Sequence, residues 1–293
     1  MARIFSLILL QPGSLTLRNL PLLILFISNL VLGQISLSIT EYRPFPEKIT
    51  LLDIEPTVLS WSIANRFLLL DQNQRELIEL GPFGNVNLAS GLGQAGHSYG
   101  ELVWMGISPE GIWVLDRIEN LISHLDYRLN PVRTEKLELR IFPENAALDP
   151  WGRMFLLSRT YNSIFIFENG SLVQAPFIDL SREFETSLCL KDMSVNQDGD
   201  LAILDCEGEV HFFNRLGQRQ VSYPTEIPDA EFLAAVRGHW FVFNKNGKGV
   251  SVKSQEKVSI PGASVPVIDV AAMNRSLAVL SRDHILILNA KFK

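Results

Sequence analysis

The sequence predicts an all-β chain folded as a six-bladed β-propeller. Three observations predict it. A unit built from short strands recurs six times, its marker residues 37 to 47 positions apart. The strands in each unit are continuously apolar where a one-sided sheet would alternate. The last unit lacks an outer strand, and a spare strand stands near the N-terminus.

The markers are the polar residues that close one apolar strand per unit. Those strands are Phe67-Leu-Leu-Leu-Asp71, Ile112-Trp-Val-Leu-Asp116, Met154-Phe-Leu-Leu-Ser158, Leu201-Ala-Ile-Leu-Asp205, Trp240-Phe-Val-Phe-Asn244 and Leu277-Ala-Val-Leu-Ser281. A following strand ends eight to ten residues later in most units, as at Glu76 to Leu80 and Ser163 to Glu168. Turn signals precede several of the marker-ending strands: Ser108-Pro-Glu-Gly111, Asp149-Pro-Trp-Gly152 and Asn196-Gln-Asp-Gly199. A period of about 40–50 residues with several strands per unit is the signature of propeller blades. A single blade cannot bury both its faces, so blades stack face to face around an axis. Covering both faces removes the polar positions and leaves strands such as FLLLD. Helical patterns of period 3.6 do not extend beyond two turns after the N-terminal segment.

Ile35-Ser-Leu-Ser-Ile-Thr-Glu-Tyr42 alternates apolar and polar residues. It can complete the sixth blade, which removes the exposed sheet edge that an open array would keep. One propeller domain over residues 34–293 follows.

Residues 1–33 read as a signal. Leu20 to Leu32 is apolar apart from Ser28 and Asn29, and Arg18 stands before it. The run is shorter than the ~20 residues of a spanning helix, which favours a cleaved signal peptide over a membrane anchor. No cysteine follows it directly. The chain is therefore expected to be exported, to the periplasm, cell envelope or extracellular space, with membrane contact only through an uncleaved N-terminus.

The charge balance narrows the partners. The hydrophobic fraction is 47% and the net charge is −6, with the basic residues scattered. A nucleic-acid surface needs clustered Lys and Arg, so that class is excluded.

The second unit carries a family resemblance. Gly91-Leu-Gly-Gln-Ala-Gly-His-Ser-Tyr-Gly-Glu-Leu is followed by Met105-Gly-Ile-Ser-Pro-Glu-Gly-Ile-Trp-Val-Leu-Asp116 and Asn120-Leu-Ile-Ser-His-Leu-Asp126. This resembles an NHL repeat. The fourth unit is similar through Val195-Asn-Gln-Asp-Gly-Asp-Leu-Ala-Ile-Leu-Asp205, whereas Asn244 and Ser281 replace the aspartate in the last two. NHL-like propellers serve as binding platforms, lyases or lactonases, so the resemblance implies the fold and leaves the activity open.

Candidate ligand-binding residues follow from the innermost strands, which line the channel. By register they are Trp104, Asn145, Asp192 and Asp269, with Glu231 close to the same level in the fifth unit. Oxygen ligands converging at one mouth can hold a hard cation such as Ca²⁺. Resemblance to six-bladed lactonases implies such a metal. The alternative is that these side chains cap strand ends along a water-filled tunnel.

No H-E-x-x-H or phosphate loop is present. His124, His211 and His284 fall away from the axis and share no register, and no compact Ser–His–acid set is legible. Cys189 and Cys206 flank the Asn196–Gly199 turn at matched distances, which opposes them within disulfide range. An oxidised pair and two reduced thiols both remain open. Trp151, in a turn after Pro150, is the aromatic residue placed on a rim. The absence of a catalytic set favours a non-enzymatic module that binds a protein, peptide or glycan. The rival is a metal-assisted hydrolase or lyase using the channel residues.

Overall fold

The computed structural model describes residues 35–90, 99–185 and 187–292. The signal expected over residues 1–33 lies outside them. So do His97 and most of the glycine-rich lead-in to the second unit. The propeller spans Ile35–Lys291.

Among the described residues, twenty-five strands form six antiparallel sheets. Blade 1 holds β2 (Val58–Trp61), β3 (Phe67–Asp71), β4 (Glu76–Leu80) and β5 (Val86–Ser90). Blade 2 holds β6 (Leu102–Ser108), β7 (Gly111–Asp116), β8 (Leu121–Leu125) and β9 (Pro131–Lys136). Blade 3 holds β10 (Asn145–Leu148), β11 (Met154–Ser158), β12 (Ser163–Glu168), β13 (Ser171–Leu172) and β14 (Ile178–Asp179). Blade 4 holds β15 (Leu190–Val195), β16 (Leu201–Asp205), β17 (Glu209–Phe213) and β18 (Tyr223–Pro224). Blade 5 holds β19 (Ala230–Val236), β20 (His239–Asn244), β21 (Lys248–Ser251) and β22 (Glu256–Ser259). Blade 6 holds β23 (Asp269–Met273), β24 (Ser276–Leu280), β25 (His284–Lys291) and, from the other end of the chain, β1 (Ser36–Pro44).

The sixth blade is closed as the spare strand implies. β1 runs antiparallel to β25 from Ser36↔Lys291 to Pro44↔His284, with a shift of register between Ile39 and Glu41. Ring closure therefore joins both ends of the propeller in one sheet.

The core lies between blades. Phe67, Leu69 and Ile78 of blade 1 meet Leu280 and Ile285 of blade 6. Leu68 and Leu70 on the other face of β3 meet Met105, Ile112 and Val114 of blade 2. The same alternation continues from blade 2 to 3, 3 to 4 and 4 to 5. Every residue of β3, β7, β11 and β16 is buried, which accounts for their apolar sequences. Each fully buried Leu, Ile or Phe contributes about 1.5–3 kcal/mol.

The marker residues have a physical role. Asp71 accepts the Glu55 N–H ahead of β2 (2.8 Å) and the Gln74 N–H in the turn after β3 (2.9 Å). Asp116 accepts the Gly100, Glu101 and Glu119 N–H groups. Asn244 accepts two N–H groups of its turn and donates Nδ2 to the Pro228 carbonyl. The polar residue thus ties the lead-in loop to the turn beyond the strand. It satisfies backbone groups that would otherwise be buried unpaired. Asn and Ser can take over part of this role, which is why the repeat is uneven in sequence and regular in structure.

Cys189 and Cys206 are joined as a disulfide, with Cα atoms 5.4 Å apart. Among the described residues no helix is long and apolar enough to cross a membrane.

Candidate functional site

The six inner strands β2, β6, β10, β15, β19 and β23 surround a cavity of about 740 Å³. Pairing with the second strands sets one residue per blade at a common level. Those residues are Val58, Trp104, Asn145, Asp192, Phe232 and Asp269. All five residues chosen from the sequence line the cavity. Four stand at this level. Glu231 does not: the ladder shifts between Ala230 and Phe232, so Phe232 takes the position and Glu231 is the extra residue. Blades 2 and 4 carry the same shift, with Val103 and Lys191 as the extra residues beside Trp104 and Asp192.

Asn145, Asp192 and Asp269 share one geometry. One side-chain oxygen of each accepts the N–H of the following residue: Ala146 at 2.8 Å, Met193 at 2.7 Å and Val270 at 2.7 Å. The second oxygen of each carboxyl reaches the next blade. Leu233 N–H donates to Asp192 Oδ2 at 2.7 Å, and Leu59 N–H donates to Asp269 Oδ2 at 2.6 Å. The Asn145 side chain also hydrogen-bonds Asp192. The polar residues of the channel are therefore blade-to-blade clasps on the axial edge of the sheets.

Enclosure by the inner strands dominates their acidity. Burial pushes the Asp192 carboxyl up to about 6 and Asp269 up to about 8, and the N–H donors offset part of the cost. The charges acting on them are of like sign: Glu231 raises Asp192, and Asp192 raises Asp269. Both side chains keep partial contact with the channel.

Trp104 lies along the channel wall over Gly106. A Cβ on Gly106 would stand 2.2 Å from the indole ring. Glycine here makes room for the tryptophan.

The two ends of the cavity differ. Where the inner strands begin, Glu144, Lys191 and Glu231 line it. Glu144 pairs with Arg159 Nε at 2.7 Å, and Glu231 with Lys245 Nζ at 2.8 Å. Arg117 pairs with Glu101 at 2.7 Å and lies 3.9 Å from Glu144. Beside these ion pairs, in the turns after the second strands of blades 2 and 3, Ile118 is 59% exposed and Tyr161 43%. Where the inner strands end, Ile107, Leu148, Val195 and Ala235 line it together with the polar Ser62 and Ser194. There Gln197 Nε2 donates to Asn274 Oδ1 at 3.3 Å, linking blades 4 and 6 past blade 5. Trp151 is 62% exposed at this end, and its ring covers Gly199, whose φ of +78° suits glycine.

The donor set bears on the expected Ca²⁺. Three of the six positions at the common level carry oxygen, and each of those oxygen sets already accepts backbone N–H groups. Ca²⁺ takes six to eight oxygen ligands. This ring alone falls short of that number.

The described histidines lie outside the channel wall. His124 stacks on Trp113 with ring centroids 4.6 Å apart, and its Nε2 bonds the Glu110 carbonyl. His284 bridges Asp283 and the buried Ser264. His211 bridges Asp205 (3.0 Å) and Ser222 (2.8 Å) in the outer part of blade 4. Sequence reasoning missed both Ser–His–Asp sets. Ser222 sits in the loop before a two-residue strand, and Ser264 in a short turn, so neither has a periodic signal.

No family model and no curated protein matches the sequence. Solved structures do match its fold. A streptogramin B lyase aligns with a TM-score of 0.62 at 12% identity, covering 88% of this chain and 98% of that one. The PQQ-bound aldose sugar dehydrogenase of Streptomyces coelicolor aligns at 0.56 and 10% identity, covering 88% and 99%. The WD40 β-propeller domain of Doa1 aligns at 0.55 and 11% identity, covering 79% and 77%. The chain is a six-bladed β-propeller. At these identities the likeness carries the fold alone, and the three neighbours differ in role.

Proposed function

We propose that this chain is an exported, NHL-like propeller that binds a protein, peptide or glycan at the charged mouth where the inner strands begin. One observation carries the reading: the oxygens of Asp192 and Asp269 are engaged in clasping neighbouring blades. The deep polar residues serve ring closure, and the groups left to meet a partner are those of the mouth. That mouth combines ion-paired Glu144 and Glu231 with the exposed Ile118 and Tyr161, a polar rim around apolar contact points. The aspartates that close three of the second strands support the NHL-like reading.

The rival reading, a metal-assisted hydrolase or lyase, draws on the raised pKa of Asp269, which keeps a protonated carboxyl in the channel near neutral pH. A displayed-peptide library and a glycan array, panned on the purified protein, separate the two. Ligands that lose binding to Tyr161→Ala and keep it to Trp151→Ala support the mouth. Ligands with the reverse dependence place the site at the opposite end. Turnover of a lactone panel that needs Ca²⁺ and is lost in Asp192→Asn would overturn the binding reading.

A further inference from the structure

We propose that Asp205, Glu209 and His211 form a zinc site on the two middle strands of blade 4, independent of the channel. Each offers one ligand atom, and these atoms lie within 4.8 Å of one another. Asp205 ends β16, and Glu209 and His211 lie two residues apart on β17. They point to the same side because side chains alternate along a strand. The pairing of β16 with β17 brings the aspartate to them.

The donor set suits zinc. An imidazole nitrogen with two carboxylate oxygens is a borderline set that Zn²⁺ accepts, whereas Ca²⁺ and Mg²⁺ prefer oxygen throughout. The two carboxylates balance the charge of a divalent ion. Three protein ligands leave the fourth tetrahedral position to water.

The surroundings fix the ligands in advance. Asp205 Oδ1 accepts the Glu207 and Glu209 N–H groups at 2.9 and 2.7 Å, which leaves Oδ2 directed at His211 Nε2. Phe184 packs edge-on against the imidazole at 4.7 Å. The Cys189–Cys206 disulfide anchors the residue next to Asp205. Ser222 supplies the chemical point. Without metal, His211 Nε2–H donates to Asp205 and Nδ1 accepts the Ser222 hydroxyl. With zinc on Nε2, the ring proton moves to Nδ1 and Ser222 Oγ accepts it. A hydroxyl both donates and accepts, so this tautomer change sacrifices no hydrogen bond on that side. A ligating histidine bonded through its other nitrogen is the arrangement that orients metal sites. His211 and Asp205 are buried and Glu209 is half-buried, so the ion enters past Glu209.

The test is titration of the chelator-treated full-length protein with zinc chloride against a chromophoric chelator. One equivalent should bind. Glu209→Gln should lower the affinity at least tenfold while leaving the metal-free melting temperature unchanged. Ser222→Ala should lower it about 10–100-fold. Absence of stoichiometric zinc binding by the wild type would overturn the proposal. So would wild-type affinity in Glu209→Gln, or equal affinity for calcium chloride. Glu209 is partly exposed, so that variant folds even where His211→Ala does not.

Discussion

Asp269 is held in the channel wall by two backbone N–H groups, yet burial raises its carboxyl to about 8 against an ordinary 3.8. The folded state then binds a proton more tightly than the unfolded chain. The stabilisation is complete below the ordinary carboxylate range and is lost as pH rises through about 8. Asp192 adds the same trend up to about 6. Asp269→Asn removes the charge and keeps the acceptor for the Val270 N–H, but it sets an NH2 group against the Leu59 N–H. The variant should show a flatter pH dependence of melting temperature between about 4 and 8, whatever the loss of the Leu59 clasp does to the absolute value. Each tenfold difference in proton affinity between the folded and unfolded chain is worth about 1.4 kcal/mol, or roughly 2–4 °C for a domain of this size. A scan of melting temperature against pH checks it. Unchanged slopes would mean that both carboxyls titrate normally. Trp104 and Gly106 offer a second case. Gly106→Ala meets the indole at 2.2 Å and should cost about 1–3 kcal/mol, as overpacking does. The same substitution made in Trp104→Ala should cost far less, and denaturant midpoints of the four variants measure the coupling.

Strands carry the next level of argument, and they show what the sequence discloses. β3, β7, β11 and β16 were legible because burial on two faces leaves apolar runs, and each ends in a residue that ties two loops. β1 was legible through its alternation. Asn145, Asp192 and Asp269 were legible through register, since their partners Leu157, Leu204 and Leu280 sit one residue before the markers. Phe232 and Ser222 were not: the first is apolar where three other blades carry Asn or Asp, and the second lies in a loop whose position only tertiary packing decides. Two predictions belong here. Removal of residues 1–44 exposes β25 as an edge carrying Ile285 and Ile287, and unpaired edges recruit other chains. The truncated protein should elute as oligomers in size-exclusion chromatography, whereas removal of residues 1–34 should leave a monomer-like profile equal to that of the intact propeller. Replacement of Cys189 and Cys206 by serine opens a loop of sequence separation 17. Loops near that length are stabilised by about 3 kcal/mol on cross-linking, and a denaturant midpoint lowered by that amount is the expected result.

The whole ring is shut by two separate devices at the seam between blades 6 and 1. One is covalent: the chain runs from β1 in blade 6 directly into blade 1. The other is packing, in which Phe67, Leu69, Ile78, Leu280 and Ile285 are all fully buried, with Leu59 N–H clasped by Asp269. Their magnitudes can be compared. Closing a flexible loop of about 250 residues costs about 5 kcal/mol. Five fully buried side chains at about 1.5–3 kcal/mol each exceed that, so packing alone should hold the seam. A circular permutant isolates the contribution. Ser36 lies directly opposite Lys291, so a two-residue Asn-Gly turn can join them into a β25–β1 hairpin. New termini between Leu52 and Asp53 then cut the covalent tie into blade 1 and make every blade continuous. The permutant should keep the hydrodynamic radius of the parent and unfold in one transition. A larger radius, or a separate early transition for blade 6, would show that the covalent tie closes the ring and that the seam between blades 6 and 1 is weaker than its buried side chains imply.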